Sequence, residues 1–200
     1  MVLDINPVEI LKKHAGKGTQ AFKILLAHST SVKNLALLIA KKNPQLNANI
    51  ELLEAAAMLH DIGIIKTNAP IIGCFGNQPY ISHGFLGREI LEAEGLPEIA
   101  LFCERHTGTG ISKEEIIKFK LPLPHREMLP VTTEEMILCY ADKFFSKTGK
   151  NLKQAKKLKK IYKNLSKYGE KKTRRFDEFI GMFGLYYVYD EVDYKLGSRT

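Results

Sequence analysis

The sequence predicts an all-α protein. Apolar residues recur at three- and four-residue spacing through most of the chain. Gly, Pro and Asn punctuate these stretches at helix-length intervals, and no alternating apolar–polar run of useful strand length occurs. Residues 7–14 read as a short helix with Pro7 in its first turn, broken by Gly16-Lys17-Gly18. Residues 19–42 form a longer one, with Leu25, Val32, Leu35 and Ile39 on one face and Asn43-Pro44 at its end. Asn49 caps the next helix, which runs through Leu52–Leu59 to His60-Asp61, where Ile62-Gly63 is expected to stop it. Residues 62–82 have no clear period and read as a long loop, of a length that in compact domains tends to be a lid or a binding segment.

Helices follow from Ser82 to Glu94 and from Pro97 to His106, joined by Gly95-Leu96-Pro97. Residues 107–131 are irregular except for a short helix capped by Ser112, and Thr132 or Thr133 caps a strong helix expected to reach Ser146. In the segment 150–168, Leu152, Ala155, Leu158, Ile161, Tyr162 and Leu165 share a face, and a final helix from about Thr173 carries Phe176, Phe179, Ile180, Phe183 and Tyr187 at the same spacing. The expected organisation is a helical domain over residues 1–147, with a basic and aromatic helical extension over 148–200 packed on it.

With 200 residues and 44% apolar content the chain can bury one sizeable core. No run approaches the ~18 apolar residues of a membrane span, so no membrane association is expected. Asp4 and Glu9 precede any apolar stretch, which does not read as a secretory signal; a cytoplasmic location is the expectation. The three cysteines form no Cys-x-x-Cys pair, which argues against a disulfide framework or a thiolate zinc site; Cys103 and Cys139 lie in apolar helical runs and read as small core residues. The net charge of +8 is local: residues 150–175 hold twelve Lys or Arg against one acid, Glu170, while the rest of the chain holds 18 basic and 21 acidic side chains.

Six residues carry the chemistry: His28, His60, Asp61, His83, His106 and Asp142. His28 shares the face of Leu25, Val32, Leu35 and Ile39, His106 follows Ile99, Phe102 and Cys103, and Asp142 follows Leu138 and Cys139. Singly, each reads as a satisfied core residue. Together they are four imidazoles and two carboxylates from five predicted helical segments, several of them aimed inward, the way helix bundles build metal sites. An unpaired imidazole or carboxylate at an apolar edge is costly, and a metal removes that cost.

The ordered pattern His28, His60-Asp61, Asp142, with His60-Asp61-Ile62-Gly63 in the HDIG form, resembles the HD superfamily of metal-dependent phosphohydrolases. Ser82-His83-Gly84 with Gly87-Arg88-Glu89-Ile90-Leu91, Glu104-Arg105-His106-Thr107-Gly108-Thr109-Gly110, and Leu129-Pro130-Val131-Thr132 leading to Tyr140-Ala141-Asp142-Lys143 are similar to a branch of small stand-alone HDIG proteins. The resemblance spans about residues 20–147 and implies an HD-type helical bundle with additional C-terminal helices. It also implies that His28, His60, Asp61 and Asp142 hold one metal ion, while His83 and His106 hold a second with Asp61 bridging. Mixed imidazole and carboxylate ligation suits Fe, Mn, Co, Ni or Zn, and occupancy by one ion or two turns on His83 and His106.

The implied activity is hydrolysis of a phosphate ester or anhydride by a metal-activated hydroxide that Asp61 helps to orient. The implied substrate is a small phosphorylated metabolite, most plausibly a nucleotide: a dinucleoside polyphosphate, a nucleoside phosphate or a cyclic dinucleotide. Lys66, Arg88, Arg105 and Lys143 lie within a few residues of the ligands and are candidates for phosphate contact, against the alternative of surface ion pairs. Two other readings stand beside the hydrolase: a nucleotide- or nucleic-acid-binding protein with a structural or sensory metal, and a di-iron oxygenase of a divergent HD branch.

His14 and His125 read as exposed, and Thr107-Gly108-Thr109-Gly110 lacks the Gly-Lys-Ser/Thr ending of a P-loop. The 150–175 segment invites a nucleic-acid partner, although its apolar stripe favours a packed helix with a solvated basic face. The C-terminal aromatics Phe176, Phe179, Phe183, Tyr186, Tyr187 and Tyr189 read first as core, with a homodimer interface or a base-stacking wall as alternatives.

Overall fold

A computed structural model describes residues 5–185, which form nine α-helices, several single 3-10 turns and one very short β-hairpin. Helix α1 (Pro7–Ala15) starts at Asn6, whose side chain accepts from Val8 N and Glu9 N, with Pro7 where a missing N–H costs nothing. Helix α2 (Gln20–Lys42) starts at Thr19, whose hydroxyl accepts from Phe22 N, and stops at Asn43-Pro44. Asn49 caps α3 (Ile50–Leu59) by accepting from Leu52 N.

Helix α2 packs against α1, α3 and α7 (Thr133–Lys143), with Val32, Leu35 and Ile39 fully buried among Leu53, Leu59 and Leu138. Each such aliphatic side chain contributes ~1.5–3 kcal/mol when removed from water. That stripe holds α2 in the bundle while its same face carries a buried imidazole. By length and composition α2 would also pass for a membrane span, but 56% of the relevant window is buried inside the protein.

Helices α4 (His83–Ala93) and α5 (Pro97–Arg105) pack on each other, and α6 (Lys113–Lys118) and α7 each begin with a reciprocal capping box, Ser112 with Glu115 and Thr132 with Glu135. Two expected boundaries need correction. Gly63 does not stop the chain's helical path: after α3 the backbone turns at His60-Asp61 and continues as a 3-10 helix, Ile62–Lys66. The glycine serves close approach, because a Cβ there would lie 2.0 Å from the His83 carbonyl oxygen and 2.3 Å from Gly87 N. Helix α7 ends at Lys143, short of Ser146.

The expected 62–82 loop is ordered by short pieces: strands β1 (Asn68–Ala69) and β2 (Cys74–Phe75) pair antiparallel, flanked by 3-10 turns. Ala69, Ile72 and Cys74 fasten it to Ala21 and Leu25 of α2. Two-residue strands carry no readable alternation.

The basic segment is not one long helix. It runs through a 3-10 turn, Gly149–Leu152, and an irregular stretch into α8 (Leu158–Leu165), before α9 (Glu170–Phe183). Helix α9 lays Phe176, Phe179 and Phe183 in the core around Tyr140, with the Tyr140 ring 5.4 Å from Phe176 and 5.6 Å from Phe183. Tyr186, Tyr187 and Tyr189 lie outside the described residues. Two cations of the segment are structural: buried Lys172 meets Glu115 at 2.8 Å, and Arg175 donates to the Gly110 carbonyl at 3.0 Å, pinning α9 to the loop that follows His106.

Candidate metal centre

Five separate stretches of backbone converge on one buried point. His28 comes from the middle of α2, His60 and Asp61 from the turn after α3, His83 from the first residue of α4, His106 from the end of α5, and Asp142 from the last turn of α7. All six are buried. They fall into two sets sharing Asp61: His28, His60, Asp61 and Asp142, and Asp61, His83 and His106, with the candidate ligand atoms of each set all within 4.8 Å of one another.

The Asp61 carboxylate divides between the sets. Its Oδ2 lies 3.0 Å from His28 Nε2 and 3.0 Å from His60 Nε2, while its Oδ1 lies 3.5 Å from His83 Nε2 and 3.4 Å from His106 Nε2. Asp142 Oδ1 is 3.0 Å from His28 Nε2 and 3.6 Å from His60 Nε2.

Backbone carbonyls fix three of the rings. Nδ1 of His60 donates to Ala57 O at 2.8 Å, that of His83 to Tyr80 O at 2.7 Å, and that of His106 to Cys103 O at 2.7 Å. A carbonyl oxygen only accepts, so each Nδ1 carries a proton, and each ring in its neutral form turns an Nε2 lone pair inward, the arrangement a metal-ligating histidine uses. His60 Nε2 and Asp61 Oδ1 are buried without a hydrogen-bond partner, and Asp61 Oδ2 meets only imidazole nitrogens and the Lys147 ammonium. Orphaned buried acceptors of this kind are rare in folded proteins. The donor set therefore fits one or two divalent ions, and Asp61 is the residue placed to bridge them.

Electrostatics agree. Burial opposes the charged form of Asp61, but the His60 and Lys147 charges outweigh it and hold the carboxyl well below its ordinary range. Asp142 is likewise held low against burial by Lys143 and Lys147. Burial works to lower His60, yet Asp61 and Asp142 raise it to about 9, whereas burial and the neighbouring His106 push His83 down to about 3. The centre attracts positive charge on one side and excludes a proton on the other. Buried Cys103 and Cys139, with thiols pushed up by burial, hold no thiolate for it.

The four candidate phosphate contacts have different surroundings. Lys143 sits beside the centre, its Nζ 2.8 Å from Asp142 Oδ2 and 3.3 Å from the His106 carbonyl. Arg88 is held by Glu92 and by buried Glu104, at 2.7 and 2.6 Å. Arg105 is held by both oxygens of buried Glu135 at 2.7 and 3.0 Å, and Lys66 is exposed at the end of its 3-10 helix. His14 pairs with Glu94 at 2.8 Å, and His125 is exposed in its loop.

Lys147, which sequence reasoning missed, reaches the centre: its Nζ lies 2.7 Å from Asp61 Oδ2. On a helix continuing past Ser146 it would point away from Asp142, and only the early end of α7 turns it back. Lys143, Lys147 and Lys156 line a cavity of about 460 Å³ that opens onto Asp142 and is bordered by Tyr80 and Gly108. That volume is of the size of small-molecule sites, ~300–1,000 Å³.

Comparison with known proteins agrees with this geometry. The family described as HD domain matches residues 25–146. The chain is 40% identical over 123 residues to the tRNA (cytidine(56)-2'-O)-methyltransferase of Thermoplasma volcanium, covering 61% of this chain and 32% of that one. It is 34% identical over 131 residues to the enzyme of the same name from Picrophilus torridus, covering 65% and 34%. It thus spans about a third of the length of these methyltransferases. With an uncharacterized protein of Methanocaldococcus jannaschii it shares 37% identity over 146 residues, which cover 72% of this chain and 78% of that one. No solved structure matches. A family match over more than half of the chain, on the stretch that brings His28, His60, Asp61 and Asp142 together, shows that this protein belongs to the HD domain family.

Proposed function

We propose that the protein is a metal-dependent phosphohydrolase acting on a phosphate ester or anhydride of a nucleotide. The observation that carries this reading is the division of Asp61 between two imidazole sets beside a lysine-lined cavity. A divalent pair supplies Lewis acidity towards a phosphoryl oxygen and lowers the pKa of water. The protein's own groups do the rest. Asp61 and Asp142 would repel a phosphate, and the ammonium groups of Lys143 and Lys147, each within 2.8 Å of one of these carboxylates, offset that charge on the cavity side. The Tyr80 ring, 5.0 Å from that of His83, closes the adjoining wall.

Metal analysis after anaerobic purification, followed by a screen of nucleoside phosphates, dinucleoside polyphosphates and cyclic dinucleotides with added Fe, Mn, Co, Ni or Zn, tests the reading. Hydrolysis by the wild type that Asp61→Ala lacks is expected. Equal rates for the two would overturn it. A second reading, a nucleic-acid-binding protein with a structural metal, draws on the relatives, whose names place two of them on tRNA. Tight binding of RNA without any phosphatase or phosphodiesterase activity would favour it.

A further inference from the structure

The lysine-rich segment and the cavity meet on one helix. Ile161, Asn164 and Leu165 of α8, with Tyr168 of the following 3-10 turn, line the same cavity as Lys143 and Lys147. Asn164 also belongs to a second row. Lys157 at the N-cap of α8, Lys160 and Asn164 within it and Lys167 in the 3-10 turn after it follow at steps of three, four and three residues, close to the spacing that aligns side chains along one helical ridge.

All three lysines of this ridge are exposed. Among the described residues Lys157 and Lys167 have no acidic partner, and Lys160 contacts only the Asn151 side-chain oxygen, at 2.7 Å. Lysines left without carboxylates cost solubility nothing, but three in register beside a cavity attract a row of phosphates. Tyr168 lines the cavity and is also 67% exposed, so part of its ring is open to solvent. Cations tracking a backbone together with an exposed aromatic face are the two parts of a single-strand nucleic-acid platform. A free mononucleotide would fill the cavity and leave the ridge without a role.

We propose that the substrate is a phosphate at the end of a single-stranded oligonucleotide, whose next nucleotides lie along Lys157, Lys160 and Lys167 with a base against Tyr168. This rests on the hydrolase reading above and narrows its substrate. In the reaction the oxygen of water bonds to phosphorus and the P–O bond to the terminal sugar breaks. The sugar oxygen leaves as a hydroxyl, with a proton derived from that water.

The test uses the full-length, metal-loaded chain and oligonucleotides of about eight nucleotides, RNA and DNA, with and without a terminal phosphate. Fluorescence anisotropy across a salt series reads binding, and phosphate release, compared with the matching mononucleotide, reads turnover. Three phosphate contacts predict that log K against log salt is steeper by about 2 in the wild type than in Lys157→Gln/Lys160→Gln/Lys167→Gln. The wild type should prefer the phosphorylated oligonucleotide to the mononucleotide at least tenfold in kcat/KM. In the triple variant that ratio should collapse, and arginines at the three positions should restore it.

Identical salt slopes in the two proteins overturn the inference, as does equal turnover of mononucleotide and oligonucleotide. So does binding to phosphatidylserine vesicles in preference to either oligonucleotide. If the mononucleotide alone is hydrolysed, this inference fails and the hydrolase reading survives. If no phosphate is released from the oligonucleotides or the mononucleotide while the nucleotide screen still shows hydrolysis that Asp61→Ala lacks, the terminal-phosphate substrate fails and the hydrolase reading survives; if that screen is blank as well, both fail.

Discussion

His83 and His106 bring their Nε2 atoms within 3.1 Å of each other although each has given its Nδ1 proton to a backbone carbonyl. Two lone pairs at that distance repel unless a proton or a cation lies between them. Burial disfavours the proton, lowering both rings, and Asp61 Oδ1 completes a three-sided cage at 3.4 to 3.5 Å. A cation is the favoured occupant. Changing both histidines to alanine should therefore reduce bound metal from two ions per chain to about one, read by elemental analysis after gel filtration. Activity should fall by at least ~10–100-fold, the usual cost of damaging a metal's surroundings. A stoichiometry that does not change removes the second metal from the account.

Lys147 and Asp61 make the second prediction. The oxygen that Lys147 meets at 2.7 Å is the one facing His28 and His60, so an ion held by that set would be repelled by the neighbouring ammonium. Without metal the pair is a buried ion pair, and removing one partner costs ~3–5 kcal/mol. Lys147→Gln should lower the melting temperature of the metal-free protein, tighten metal binding by calorimetry, and lower kcat/KM by ~10²–10³ through the lost phosphate contact. The opposite signs for metal affinity and turnover distinguish this role from simple damage to the site. A variant with weaker metal binding would refute the repulsion argument.

What could be read beforehand followed from local pattern. His28 declared itself by its register with Leu25, Val32, Leu35 and Ile39, and His60-Asp61 by its place at the end of an apolar helix. Lys147 did not, because its direction depends on α7 stopping at Lys143, and nothing at Phe144 or Phe145 marks a helix end. For Arg88 and Arg105 the ion-pair alternative could not be decided, since the buried partners Glu104 and Glu135 lie 16 and 30 residues away and meet them only in the folded chain; only Glu92, four residues after Arg88, was within local reach. The wall that α8 contributes to the cavity is equally a product of docking, which helical periodicity does not encode.

Gly63 carries a third prediction. A methyl group there would overlap the backbone of both His83 and Gly87, and a backbone cannot rotate away as a side chain can. Gly63→Ala should push the start of α4 outward and destabilise the fold by ~1–3 kcal/mol. Because His83 moves with α4 while His28 and Asp142 do not, the Asp61, His83 and His106 set should lose metal affinity more than the other. Stepwise metal titration followed by thermal melting checks both effects, and equal weakening of the two sites would count against this reason for the glycine.

The loss of stability at alkaline pH should disappear when metal binds. In the metal-free chain His60 is held at about 9, above its ordinary 6.5, so its contribution is complete below pH 6.5 and is lost as pH rises through 9. His83 works the other way. Held at about 3, it refuses in the folded state a proton that the unfolded chain accepts, and its contribution is lost as pH falls from 6.5 towards 3. Asp61 and Asp142, held well below 3.8, withdraw theirs only at still lower pH. The metal-free protein should thus be most stable near pH 6.5 and weaken on either side, by a few kcal/mol at most given ~1.4 kcal/mol per pKa unit. A ligating His60 must be neutral, so metal competes with its proton; metal binding tightens as pH rises towards 9 and offsets the loss, and the loaded protein's stability should be level between pH 6.5 and 9, where the metal-free protein loses it. Urea midpoints across this range, with chelator and with saturating Mn²⁺, give the two slopes. An equal fall in the loaded and metal-free proteins would mean that His60 does not ligate.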